Sequence, residues 1–250
     1  MIHSSNIRAG LEDLAASLLP GLEPYIVLTS ERPPAEHLVA NAVGWTSPTL
    51  DLALRGWFKK GGRWQGRRPC VVIDDLLCWK WAREESTKNL QPSTGFFHQT
   101  AAGILIHELA HIADLGLDLS EPTKRTERLA RSVNSREYPL PAAPVPWAGH
   151  CEGWLRCVLH LRFRALQIGR HTALDVVFDS MHYGLSPSYD YWKILLGEMK
   201  RLRDVPIFEI AKVPPPLSFV KRWHSDIRRW RARQDALSEN ALLSVNMALC

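Results

Sequence analysis

The sequence predicts an α+β fold that is mostly helical. Apolar residues recur at helical spacing in several separate segments, and only two short runs, YIVL and CVVI, have the β-branched character of strands. With 250 residues, 46% hydrophobic and 23% charged, the chain can bury one sizeable core with peripheral helices.

Taken in order, Ile7, Leu11, Leu14 and Leu18 are spaced as the buried stripe of a helix that stops at Pro20-Gly21. PYIVLTS then reads as a strand. SPTLDLALRGWFKKGG reads as a short helix, with Ser47 as cap and Pro48 in the first turn. RPCVVIDDLL leaves an Arg/Gly-rich turn as the strongest strand candidate, and Asp74-Asp75 marks its passage into a loop. The polar stretch REESTKNLQPSTG leads to a helix containing GILIHELAHIADLG, with Ser93 or Thr94 as N-cap and Gly116 as C-cap. Residues 119–146 turn polar and basic, then proline-rich, and read as a long connection or lid. GHCEGWLRCVLHLRFRALQIG follows as a helix with Trp154, Leu155, Val158, Leu161 and Leu166 on its apolar face. HTALDVVFDSMHYG and SPSYDYWKILLGEMKRL predict two more helices, and LSFVKRWHSDIRRWRARQ a basic amphipathic one before an undefined tail.

A formal charge of +5 and a pI near 9.0 are mildly basic and compatible with acidic partners, nucleic acid among them. Ten tryptophans, several beside Lys or Arg, could stack bases, but they also suit helices anchored on a core beneath basic stems. The second reading is preferred. Five cysteines with no C-x-x-C pair argue against a zinc ribbon and against a disulfide framework. No secretory signal and no apolar run of bilayer length is seen, so no membrane association is expected and the cytoplasm is the expected location.

His107, Glu108 and His111 form H-E-x-x-H. On a helix, positions i and i+4 share a face, so both imidazoles can reach one ion. Glu108 adjoins the first ligand, where its carboxylate can meet a metal-bound water instead of the metal. Zn²⁺ would lower the pKa of that water and Glu108 would take its proton as general base. In a chain with 10 His, chance would place this pattern only about 0.02 times. The alternative, a helix with two paired polar histidines, is therefore disfavoured. Leu105, Leu109 and Ile112 supply a separate stripe for the core.

A catalytic zinc takes three protein ligands. The extension H-E-x-x-H-x-x-G-x-x-H fails, because its glycine and third histidine would fall on Asp114 and Leu117. His150 and Glu152, at the start of the next strong helix, both remain candidates. His150 is preferred, since it follows Gly149 and precedes an aromatic, Trp154, at i+4. Whichever is not a ligand could steady one through a hydrogen bond. Asp114 could orient a ligand imidazole or equally face solvent. Cys151 beside His150 is a possible metal ligand, although its neighbours do not supply the usual pairing. Tyr183, with His182 beside it, could donate to an oxyanion, although capping a helix end before Gly184 is the plainer role. His98, His160 and His171 read as structural.

HELAH followed by GHCEGWLR resembles the SprT-like zincins, in which H-E-x-x-H precedes a helix opening on a histidine with an aromatic four residues on. The resemblance covers about Phe96 to Leu166. It implies zinc held by His107, His111 and His150, water activated by Glu108, and a zincin core whose small sheet packs beside the H-E-x-x-H helix. Members of that group act on DNA-associated proteins. The spacer before His150 is long for the group, and no zinc ribbon follows.

The expectation is a zincin-like catalytic domain over 1–205 and a basic helical extension over 206–250. The expected activity is zinc-dependent peptide hydrolysis, with an extended protein or peptide substrate added at the edge of a strand near Val71–Asp74. A reading from another class is a nucleic-acid-binding module whose zinc site is structural or vestigial, carried by KRWHSDIRRWRARQ.

Overall fold

The computed structural model describes residues 4–38, 42–47, 49–89, 93–114, 150–179, 185–210 and 212–248. The 119–146 connection, Gly116, Gly149, His182 and Tyr183 lie outside the described residues.

Helix α1 (Ser4–Leu18) buries Ile7, Leu11, Leu14 and Leu18, the stripe that its spacing requires. Three strands follow: β1 (Tyr25–Leu28), β2 (Gly44–Thr46) and β3 (Cys70–Ile73), in the order β1-β3-β2. β3 pairs in parallel with β1, Tyr25 opposite Cys70, and antiparallel with β2, Gly44 opposite Ile73. The strand near Val71 is therefore the middle one and has no open edge, which removes it as a docking site for an extended peptide. β2, only three residues long, is too short to show an alternating pattern in sequence.

Both faces of the sheet are covered, so β1 and β3 are apolar throughout rather than alternating. Ile26, Leu28, Val71 and Ile73 face the main core. Tyr25, Val27, Cys70 and Val72 face a small lobe made of α2 (Leu50–Ala53) and α3 (Arg55–Lys60). The single helix expected there is two short ones. In that lobe Phe58 stacks on Tyr25 with ring centroids 4.4 Å apart.

The segment after β3 departs most from expectation. Asp74-Asp75 does not open a loop; Asp75–Asn89 is a helix, α4. The Leu77 N–H donates to Asp74 Oδ1 at 3.0 Å, so Asp74 acts as its N-cap. Buried Asp75 accepts from the Ser30 N–H at 2.9 Å and the Thr29 hydroxyl at 3.1 Å, tying the helix start to the end of β1. Its polar second half hid this helix, since only a narrow side including Cys78 and Ala82 is fully buried.

Helix α5 (Ser93–Asp114) is the centre of the molecule, packed by α4, α1, the sheet and α6 (Glu152–Gln167). From Thr100 to Asp114 every residue is buried except His107, His111 and Asp114. Helix α7 is brief (Leu174–Val177), and Phe178 is already extended, so the helix expected across 171–184 covers only that turn among the described residues.

Helices α8 (Ser188–Arg201), α9 (Ile207–Ile210) and α10 (Leu217–Ala248) complete the fold. The core does not stop at residue 205. Ile207, Ile210, Phe219, Trp223 and Trp230 belong to the main cluster. Asp226 of α10, fully buried, accepts from the Ser186 N–H (2.8 Å) and hydroxyl (2.9 Å), from the Tyr191 hydroxyl (2.5 Å) and from Arg229. A buried carboxylate with this many donors is a strong tie between α10 and α8. Among the described residues, no helix is long and apolar enough to cross a membrane.

A chain ending at residue 205 is expected to lose cooperative unfolding, because it strips these side chains from the core. Asp226→Ala in the full chain should destabilise by about 3 kcal/mol, as the buried Tyr191 hydroxyl and Ser186 N–H lose their acceptor. Urea denaturation followed by circular dichroism checks both. A truncated chain with the full-length midpoint would place a domain boundary at 205.

Candidate metal centre

The three exceptions to burial between Thr100 and Asp114 fall at i, i+4 and i+7, on one stripe of the helix. The first two bring their imidazoles together, ring centroids 5.2 Å apart. His150, immediately ahead of α6, closes the group at 5.0 Å from His107 and 4.8 Å from His111. One ring nitrogen from each can be chosen so that all lie within 4.8 Å of one another. Nitrogens 2.0–2.1 Å from a tetrahedral ion lie about 3.4 Å apart, so small ring rotations bring this set to metal-binding distance. These three histidines could hold a metal ion.

The donor chemistry fits as well. His107 Nδ1 donates to the Val177 carbonyl at 3.1 Å. A carbonyl only accepts, so Nδ1 carries the proton and Nε2 keeps its lone pair. That lone pair faces His150 Nε2 at 3.0 Å. Burial pushes the pKa of His107 down to about 4, against the raising effect of the Val177 bond, so the ring is neutral near pH 7. A neutral imidazole tied by its far nitrogen to a carbonyl is the usual form of a metal ligand.

Trp154 forms the floor. Its indole, fully buried, lies 4.3 Å from the His150 ring, 4.7 Å from His107 and 5.4 Å from His111, centroid to centroid. Its N–H reaches the His107 carbonyl at 3.4 Å. One side chain thus packs against all three imidazoles and keeps water from their inner side.

Glu108 is 5% exposed, and burial pushes its carboxyl up to about 8. It lies against β2: a Cβ on Gly44 would come 3.2 Å from Glu108 Oε1 and would overlap Ile104. Glycine at this point lets the strand approach the helix.

Glu152 does not join the group. It is the first residue of α6, where a carboxylate suits the positive end of the helix. Cys151 is no ligand in this arrangement either, because its thiol donates to Asp114 Oδ2 at 3.1 Å. His160 has a partner that the sequence did not reveal. It is fully buried and bonds Glu198 Oε1 at 2.7 Å, while Arg156 donates to the same oxygen at 2.8 Å. Burial raises the Glu198 carboxyl, but the His160 and Arg156 bonds outweigh it and hold the pKa below its ordinary value. His98 and His171 are exposed.

Sequence reasoning also missed the Val177 carbonyl and the glycine that admits it. A Cβ on Gly103 would overlap Val176, so Gly103 allows α7 to approach α5 one turn ahead of His107. A backbone acceptor leaves no residue-type signal, but a glycine inside a buried helix does, since it costs about 1 kcal/mol against alanine.

In the C-terminal helix, Trp223 and Trp230 point into the core and cannot stack on bases, while Lys221, Arg228, Arg231 and Arg233 are exposed. The chain matches no protein-family model, no curated protein and no solved structure.

Gly103→Ala is expected to push α7 away, lengthen the bond between His107 and Val177, and weaken binding of a divalent metal ion roughly tenfold. Competition with a chromophoric chelator measures this. Unchanged affinity would show that the Val177 carbonyl does not set the His107 ring.

Proposed function

We propose that the chain is a zinc-dependent peptidase of the zincin type, with His107, His111 and His150 as zinc ligands and Glu108 as general base. The convergence of three imidazoles, two from α5 and one from the segment leading into α6, with an H-E-x-x-H glutamate beside the first, carries this reading. Nitrogen ligands in a set of three suit zinc and leave a coordination position for solvent or substrate. A zinc ion there would supply Lewis acidity, making water a nucleophile near neutral pH and polarising a carbonyl.

The chain's own residues do the rest. Burial favours the neutral form of Glu108, and a nearby cation would favour the ionised form that a base requires. Its Oε would take the proton of the attacking water and return it to the departing amine nitrogen. His107 is held in one tautomer by Val177, and Trp154 keeps the inner side of the imidazoles dry. The peptide-docking role assigned in sequence to the Val71 strand passes to β2. That strand lies at the sheet edge beside Glu108, and among the described residues nothing pairs with its outer side. An extended peptide could add main-chain hydrogen bonds there.

The test combines elemental analysis with hydrolysis of fluorescein-labelled casein. Wild type and Glu108→Gln should hold equal zinc, with turnover in the variant reduced about 10²–10⁴-fold. His150→Ala should lose zinc, and Glu152→Ala should keep it. Full turnover by Glu108→Gln would reject the base assignment, and protein unable to take up zinc would reject the metal centre.

A further inference from the structure

We infer that Asp114 is a positioning residue for His150: it latches the first turn of α6 onto the end of α5 and so places the third imidazole opposite the other two. The inference rests on the metal reading of the histidines.

Asp114 is the last residue of α5 and continues the stripe of His107 and His111. It therefore reaches the point where α6 begins. That helix starts poorly capped. Its N-cap, Cys151, is extended (φ −76°, ψ −179°) and makes no full capping hydrogen bond, although its sulfur faces the Gly153 and Trp154 N–H groups. The first-turn N–H groups, which have no partner within the helix, gain from a negative group nearby.

Asp114 supplies one from the neighbouring helix. Its Oδ2 accepts the Cys151 thiol proton at 3.1 Å. A Cβ on Gly153 would overlap Asp114 Oδ1 and would lie 3.7 Å from Cys151 Sγ. The carboxylate therefore bonds Cys151 and packs closely against Gly153. No side chain but hydrogen at 153 admits this approach.

His150 is the residue before Cys151, and its Nε2 must meet His107 Nε2. A carboxylate that holds residue 151 thus acts on the third ligand one peptide away. The body of α6 is secured separately by fully buried Trp154, Leu155 and Val158. Loss of the latch should free the first turn and the His150 ring while leaving the helix docked.

The experiment is zinc titration of the full chain against a chromophoric chelator, with melting of the metal-free protein measured alongside. Asp114→Ala should weaken zinc binding about 10- to 100-fold with little change in the metal-free melting temperature. Asp114→Asn keeps an acceptor of the same shape and should stay within a few-fold of wild type. Gly153→Ala should weaken binding although alanine is the better helix former. Wild-type affinity in both Asp114→Ala and Gly153→Ala would overturn the latch. So would an affinity loss matched by a large fall in the metal-free melting temperature. Wild type binding no zinc in the same titration would instead overturn the metal centre beneath it.

Discussion

Between Thr100 and Asp114, helix α5 is enclosed by α4, α1, the sheet and α6, and opens only along the line of His107, His111 and Asp114. A helix that is apolar on nearly every side is held by its surroundings, not by its own propensity. Leu105, Leu109 and Ile112 cannot rotate outward without exposing apolar area worth about 25 cal/mol per Å². Two imidazoles are thereby fixed on the side of the helix that meets His150.

Closeness is the second requirement. Three glycines stand where elements touch near the site: Gly44 between β2 and α5, Gly103 between α5 and α7, and Gly153 between α6 and α5. None is needed for an unusual backbone angle. Each removes a methyl group that would separate a functional group from its neighbour: Glu108 from the edge strand, His107 from the Val177 carbonyl, and Asp114 from the start of α6. Interiors close-packed to this degree pass a displacement of a few tenths of an ångström directly to a ligand atom.

Burial also sets the protonation states. With no neighbouring charge to offset it, desolvation makes His107 a neutral donor and favours the neutral Glu108 carboxyl. A cation among the imidazoles would meet the His107 Nε2 lone pair already available, and its field would favour the ionised form of Glu108. The Arg156–Glu198–His160 group, elsewhere on α6, contains a similar histidine and carboxylate beside an arginine. There the charges compensate one another, and the cluster reads as a tie between α6 and α8.

Much of this was legible in the order of residues. The spacing of His107 and His111, the stripes of α1 and α6, and the apolar runs of β1 and β3 are local patterns, and local geometry alone turns them into faces. His150 could be preferred over Glu152 from Trp154 at i+4, but only the packing of α6 on α5 separates them. The α4 helix, the short β2 strand and the central place of β3 were not legible, because a capping aspartate, a three-residue strand and a sheet order depend on what each element meets. The same is true of the Val177 carbonyl and the Asp114 latch, whereas the burial of Trp223 and Trp230 follows the core-anchoring role preferred from the sequence. The sequence by itself determined which residues could bind an ion, since residue type and helical period need no partner. Tertiary structure alone decided which of them meet, because contacts between distant segments depend on how helices and strands pack.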